Sequence, residues 1–329
     1  MKAAVLGAEL TRQGIPQIVV HTGSRYADSP SDLEPDYNLE VAGGDHGRQT
    51  AEMLALLEPI LRKLRPDFAV VYDGTNSALA GALTAAKLGI PIAHVEAGLR
   101  SLDRSIPEEI NRIVTDHLCS VLLVPDERAL LQLKREGIES GAFIVGDLLV
   151  DFAVNVAAGL PPRPPILDRF ELVSGAYAVA TIQAPANTAD RNALAGIIAG
   201  LRGLPLPVIL PTDIFGAGAR DNIIRCNPVS PVEMIGLLSH ARVVLTDSGF
   251  EQKQARALGV PCVTLRSETE CIETLEDGWN VLVATNPRDI IAQALRPLPS
   301  APAERQCDNL CAPLIVKALH SRSEIAYAV

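Results

Sequence analysis

The chain has 329 residues, 48% of them hydrophobic and 21% charged, with a formal net charge of −10. That length is too great for one compact core and fits two domains of roughly 150 residues each. An acidic balance without clustered Lys and Arg excludes a nucleic-acid-binding surface, and no apolar run reaches the roughly 20 residues needed to span a bilayer.

An acidic protein can still hold an anion at a helix N-terminus or a local arginine cluster. The start, Met1-Lys2-Ala3-Ala4-Val5-Leu6-Gly7, meets Glu9 and Arg12 too soon for a secretory signal, so a cytoplasmic protein is expected. The cysteines at 119, 226, 262, 271, 307 and 311 form no C-x-x-C pair. Cys307 and Cys311 are one helical turn apart, but no second ligand pair follows, and free thiols are the expectation.

The clearest strands are short apolar or β-branched runs that stop at small or polar residues, at 17–21, 68–72, 90–95 and 121–124. Near-continuous apolar character marks strands covered on both faces. Helical patterns lie between them at 47–64, 77–88 and 107–118, the last charged and opened by Pro107. The second half repeats the alternation, with strands at 177–182, 208–210, 243–246, 262–265 and 280–283 and helices at 190–203, 231–240 and 249–258. Such alternation predicts parallel sheets. The expected architecture is α/β, with Rossmann-like domains at 1–150 and 151–309 facing a cleft. The stiff cluster Pro161-Pro162-Arg163-Pro164-Pro165 lies near the boundary. A second proline-rich stretch spans 297–302. The tail beyond it, helical at 311–318, is expected to pack back on the first domain. Ligands of such sheets bind beyond the carboxyl ends of the strands, which puts the expected ligand in the cleft.

Four polar segments stand at strand ends. Asp73-Gly74-Thr75-Asn76-Ser77 is a strand-to-helix turn, which an ordinary helix cap would also explain. In His94-Val95-Glu96-Ala97-Gly98-Leu99-Arg100, Glu96 ends a buried strand, where a carboxylate is either clamped by a cation or poised for proton transfer. The helix that follows places Glu108 with Arg112, and Arg112 with Asp116, four residues apart, so a surface ladder of ion pairs is the plainer reading there. Thr246-Asp247-Ser248-Gly249 presents free N–H groups and a hydroxyl at a helix start, a natural diphosphate site. The fourth segment, Leu265-Arg266-Ser267-Glu268-Thr269-Glu270 and on to Gly278-Trp279-Asn280, reads as a loop bordering the cleft.

Together these segments resemble the UDP-N-acetylglucosamine 2-epimerase family, which shares its fold with GT-B glycosyltransferases. The likeness covers essentially the whole chain and is most specific over 71–117 and 245–280. It looks closest to the branch acting on UDP-GlcNAc or related diacetamido-uronic acid nucleotides. The resemblance implies interconversion of UDP-GlcNAc and UDP-ManNAc, or of a related UDP-HexNAc or uronate, by elimination and re-addition of UDP. It implies no NAD or metal cofactor, UDP or a UDP-sugar as the bound partner, and a homodimer. It places Glu96 and Glu108 on acid/base positions with Arg112 beside them, and Asp73 and Gln183 among the catalytic positions. Ser248 and Gly249 fall on the diphosphate site, and Gln254, Asp213 and Arg266 on the rest of the UDP moiety.

The sequence departs from the family's pattern at several of these points. Gly-Asp-Thr becomes Asp73-Gly74-Thr75, so the catalytic Asp position holds Gly74. Thr-x-His-Arg-x-Glu-Asn becomes Thr181-Ile182-Gln183-Ala184-Pro185-Ala186-Asn187, Pro-x-His-Pro becomes Pro211-Thr212-Asp213-Ile214, and Ser-Gly-Gly becomes Ser248-Gly249-Phe250. Gln254 replaces a ribose-binding Glu, and Thr-Gly-Gln-His becomes Thr22-Gly23-Ser24-Arg25. The family's opening strand and its Gly-x-Arg-Pro turn are absent, and Lys2-Ala3-Ala4 already matches the helix that follows them. Two readings result: an epimerase, or a catalytically impaired nucleotide-sugar-binding relative or partner subunit. The missing Arg turn, Gln254 for Glu and Phe250 for Gly make weak UDP binding the expectation, and because Gln183 cannot exchange a proton as His does, little turnover of UDP-GlcNAc is expected.

Overall fold

The computed structural model describes residues 1–23, 33–41, 43–212, 218–269, 271–299 and 311–326. Its contacts divide the chain into two units, Met1–Leu148 with Asp308–Val329, and Leu149–Cys307. The division falls ahead of the proline cluster at 161–165, because the helix before that cluster packs into the second unit's core: Ala153 lies against Ile166, Tyr177 and Ile235.

In the first unit, α1 (Lys2–Arg12), β1 (Val20–Gly23), β2 (Tyr37–Val41) and α2 (His46–Leu64) come first. They are followed by β3 (Ala69–Tyr72), α3 (Asn76–Lys87), β4 (Ile92–Val95), α4 (Pro107–Leu118), β5 (Val121–Val124), α5 (Glu127–Arg135) and β6 (Ala142–Ile144). Four strands form a parallel sheet in the order β3-β4-β5-β6, and β1 and β2 form a separate parallel pair. Successive side chains on a strand point to opposite faces, and both faces here are covered. Ala93, Val95, Val121 and Leu123 meet Leu6 of α1 and Cys311, Ile315 and Val316 of the C-terminal helix. Val71 and Ile92 face Ala78, Ala82 and Ala85 of α3, and Leu122 and Val124 face Ala129 and Leu133 of α5.

The second unit runs α6 (Leu148–Gly159), α7 (Pro165–Arg169), β7 (Ala178–Thr181), α8 (Pro185–Thr188), α9 (Arg191–Arg202), β8 (Val208–Pro211), β9 (Gly218–Arg220) and β10 (Ile223–Cys226). Then come α10 (Pro231–Ser239), β11 (Val243–Thr246), α11 (Gly249–Ala257), β12 (Cys262–Thr264), β13 (Asn280–Leu282) and α12 (Pro287–Ala294). The seven-stranded sheet has the order β13-β12-β11-β7-β8-β10-β9, parallel throughout except for the antiparallel β9–β10 edge. On β7, Ala178 and Ala180 face one core with Ile197 and Ile290, and Val179 faces the other with Ile235 and Ala255.

The expected α/β architecture of two Rossmann-like units is what forms. The strand expected at 17–21 lies at Val20–Gly23, and the C-terminal helix α13 is longer than its apolar run, at Cys311–Ala326. No disulfide joins the five described cysteines to one another; Cys307 lies outside the described residues, as do Ser24, Arg25 and Asp213. Among the described residues no helix is long and apolar enough to cross a membrane.

Candidate functional site

In the first unit the polar residues gather where β3 and β4 end. Both strands leave the sheet through a left-handed residue, Asp73 at φ 63° and Glu96 at φ 68°. For a side-chain-bearing residue this conformation costs about 1–3 kcal/mol, so other contacts must hold it. The Lys2 ammonium on α1 pairs with the Asp73 carboxylate and lies 2.6 Å from Glu96 Oε2. Lys2 and Glu96 are nearly buried, whereas the Asp73 side chain is 43% exposed and keeps access to solvent. Burial alone would lower the Lys2 pKa, but the charges of Glu96 and Asp73 outweigh it and hold the ammonium above its ordinary value. Two carboxylates thus share one cation. Lys2 was not singled out by the sequence, since its partner Asp73 stands 71 residues away.

Gly74 carries no side chain, and the packing explains why. A Cβ there would lie 2.7 Å from both Arg112 Cγ and the Glu108 carbonyl oxygen. The carboxylate missing at position 74 is present one residue earlier, on Asp73. We expect Gly74→Ala to destabilise the protein by about 1–3 kcal/mol, the ordinary cost of overpacking, as read by urea denaturation. An unchanged midpoint would show that α4 yields freely.

Helix α4 places its residues differently from the expected ladder. Arg112 is half-buried and its Nη1 pairs with Glu109 at 3.2 Å, rather than with Glu108 or Asp116. Glu109 is 1% exposed, and its carboxylate accepts from the backbone N–H groups of Ser101 and Leu102 and from the Ser101 hydroxyl. Glu108 is exposed on the first turn.

Asp116 is buried too. It lies 2.6 Å from His94 Nδ1 and 2.7 Å from Arg100 Nη2, and it accepts from the Gly98 N–H. Arg100 in turn holds Glu136 through two hydrogen bonds. Gly98 allows this turn: its φ is 81°, and a Cβ would strike the Ala129 carbonyl oxygen at 2.4 Å.

In the second unit, β11 ends at Thr246 and is followed by Asp247, and α11 begins after Ser248. The Ser248 hydroxyl caps the helix by accepting from Phe250 N–H. Asp247 is the organising residue. Its carboxylate accepts from the N–H groups of Gln183 and Ala184 at 2.8 and 3.0 Å and from the Asn187 amide at 3.0 Å. Asn187 also donates to the Leu265 carbonyl, which ties the loops after β7, β11 and β12 together. Gln183 is held through its main chain while its side chain is exposed. Ser248 and Gly249 are half-buried at the helix start, and Arg266 is half-buried after β12.

Gln254 lies inward on α11, 1% exposed, with Oε1 lacking a hydrogen-bond partner among the described residues. Burial raises the Glu251 carboxyl above its ordinary pKa. Behind the helix, Gln252 Oε1 accepts from Thr269 and Asn280, and Asn280 bonds Thr264 and Thr274. Asp247 and Asn187 stood inside motifs already noted, and the signal that could have marked them is a polar residue following an all-apolar strand or loop start. Among the described residues, no group of three or more His, Cys, Asp or Glu side chains could hold a metal ion.

Comparison with known proteins agrees with these features. The model of the UDP-N-acetylglucosamine 2-epimerase family matches residues 8–313. A UDP-N-acetylglucosamine 2-epimerase homolog of Methanococcus maripaludis is 41% identical, over 88% of this chain and 87% of that one. The UDP-2,3-diacetamido-2,3-dideoxy-D-glucuronate 2-epimerase of Pseudomonas aeruginosa is 39% identical, over 90% and 88%. The crystal structure of Methanocaldococcus jannaschii UDP-GlcNAc 2-epimerase in complex with UDP-GlcNAc and UDP superposes with a TM-score of 0.86 at 34% identity, covering 97% of this chain and 96% of that one. The fold is therefore the GT-B-like α/β fold of these proteins, and the chain belongs to the UDP-N-acetylglucosamine 2-epimerase family.

Proposed function

We propose that the chain binds a UDP-linked 2-acetamido sugar and inverts its C2 centre by eliminating and re-adding UDP. The substrate is UDP-GlcNAc, giving UDP-ManNAc, or the 2,3-diacetamido uronate nucleotide on which the Pseudomonas relative acts. The observation that carries the reading is the pair of carboxylates, Asp73 and Glu96, joined by Lys2. In elimination a base takes the C2 proton as the C1–O bond breaks and its electron pair leaves with UDP. In re-addition UDP attacks C1 while a proton reaches C2 from the opposite face. One carboxylate must be ionised and another acid available, and a shared ammonium can steady either arrangement.

Gln183 cannot take a proton role, which leaves Asp73 and Glu96 as the candidates for the proton steps. Free N–H groups at the start of α11 and the Ser248 hydroxyl suit an anion such as a diphosphate. The substitutions that favoured an impaired relative lose weight here, because the carboxylate absent at Gly74 is supplied by Asp73. The test is proton NMR in heavy water with UDP-GlcNAc and, separately, the diacetamido uronate nucleotide. Deuterium entering C2 of one of them, with the 2-epimer growing at about 1 per second or faster, is the expected result. No exchange into either nucleotide overturns the proposal.

A further inference from the structure

His94 is 1% exposed and belongs to no proton step described above. Its two ring nitrogens face two oxygens: Nδ1 is 2.6 Å from Asp116 Oδ1, and Nε2 is 2.9 Å from the carbonyl oxygen of Asp73. A carbonyl oxygen only accepts, and so does an ionised carboxylate. Apart from His94, Asp116 lies 2.7 Å from the Arg100 guanidinium and accepts from the Gly98 N–H, contacts that favour the ionised carboxylate. Both contacts are hydrogen bonds only if the ring donates from both nitrogens.

Charge balance points the same way. The groups facing His94 directly or through Asp116 are Asp116 on α4, Arg100 beyond β4, Glu136 after α5, and the main chain of Asp73 after β3. With a charged ring the chain His94–Asp116–Arg100–Glu136 alternates in sign and is neutral. With a neutral ring it carries a surplus negative charge where removal from water costs several kcal/mol per ion.

The carbonyl that His94 grips belongs to the left-handed residue Asp73, and the next carbonyl, of Gly74, accepts from the Asn111 amide at 3.0 Å. Two buried side chains thus clamp successive carbonyls of the turn that aims Asp73 at Lys2. We infer that His94 is a positioning residue, a cationic ring that fixes the Asp73 main chain and thereby holds the Asp73 carboxylate beside Lys2 and Glu96. Only the kinetic part of its test rests on the epimerase reading.

The first measurement is nitrogen NMR at pH 7 on protein labelled with ¹⁵N-histidine, the His94 signal being assigned by its loss in His94→Asn. Hydrogen on both ring nitrogens is expected, and a ring with one bare nitrogen overturns the inference. The second is kinetic. Asn can reach Asp116 but is too short to reach the Asp73 carbonyl, whereas the Gln amide can take the place of Nε2. His94→Asn is expected to lower kcat about 10- to 100-fold, the cost of misplacing a reacting group by an ångström or so. KM should change less than about threefold, and His94→Gln should recover most of kcat. Equal losses in the two variants, or a loss carried by KM alone, overturn the inference. The ring measurement needs no turnover: an inactive protein whose His94 holds both hydrogens overturns the epimerase reading and leaves the clamp standing.

Discussion

Glu96→Gln is expected to lower the rate of C2 inversion by about 10²- to 10⁴-fold, the usual cost of losing a general acid or base. Glutamine keeps the size and hydrogen-bonding reach of Glu96, so α1 can remain docked through the Lys2–Asp73 pair. What is lost is the proton-accepting group beside the ammonium. Deuterium incorporation at C2 and epimer formation should fall together, because one proton step serves both, while KM moves little. Glu108→Gln is the informative contrast. Glu108 is exposed on the first turn of α4, with no ion pair among the described residues. Exchange persisting within tenfold of the original in Glu96→Gln, or a larger loss in Glu108→Gln, would move the base to α4.

The contrast between these two glutamates shows how far the sequence could be read. Glu96 was legible because a carboxylate closing the mainly apolar run 90–95 must be paired or poised for proton transfer. Glu108 and Glu109 are adjacent, about 100° apart around the helix, and only the three-dimensional neighbours decide which one turns inward. The choice is harder because α4 reverses the usual pattern: its buried residues are Glu109, Asn111, Thr115 and Asp116, while Ile110 and Val114 are exposed. Apolar periodicity therefore points to the wrong face, and Asp116, for which a surface ladder was the plainer alternative, is the centre of a buried network.

The strands follow the same logic. Fully covered β5, β7, β8 and β11 are buried at every position and read as apolar runs. β2, with Asn38 and Glu40 alternating with Leu39 and Val41, and the β9–β10 edge, with Arg220 and Arg225, gave no such run. A strand that faces solvent on one side or has a free edge can carry polar residues without penalty, so its sequence says less. Helix α5, Glu127–Arg135, is only nine residues long, carries its charges at both ends and buries only Ala129 and Leu133, so it stands out less than the longer helices.

The buried network also yields the largest expected effect on stability. Asp116→Asn keeps the side chain's shape but leaves Arg100 and His94 without the carboxylate between them. Arg100 retains Glu136, which is 20% exposed and so better screened by solvent, but among the described residues His94 has no other anion in hydrogen-bond contact. Removing one partner of a buried ion pair typically costs about 3–5 kcal/mol, and for a unit of this size that lowers Tm by about 6–20 °C. The effect should depend on pH in a definite direction. The Asp116 pKa lies below its ordinary value in the folded protein, so its contribution is fully present above the unfolded-state value, near pH 4. It is lost as pH falls through the lower folded value. The stability gap between the original protein and Asp116→Asn should therefore stay open down to about pH 5 and close only under strongly acidic conditions. Urea denaturation across that range measures it. A gap under about 1 kcal/mol at pH 7, no more than an exposed ion pair contributes, would show that the buried chain is dispensable and remove the structural basis for the His94 clamp.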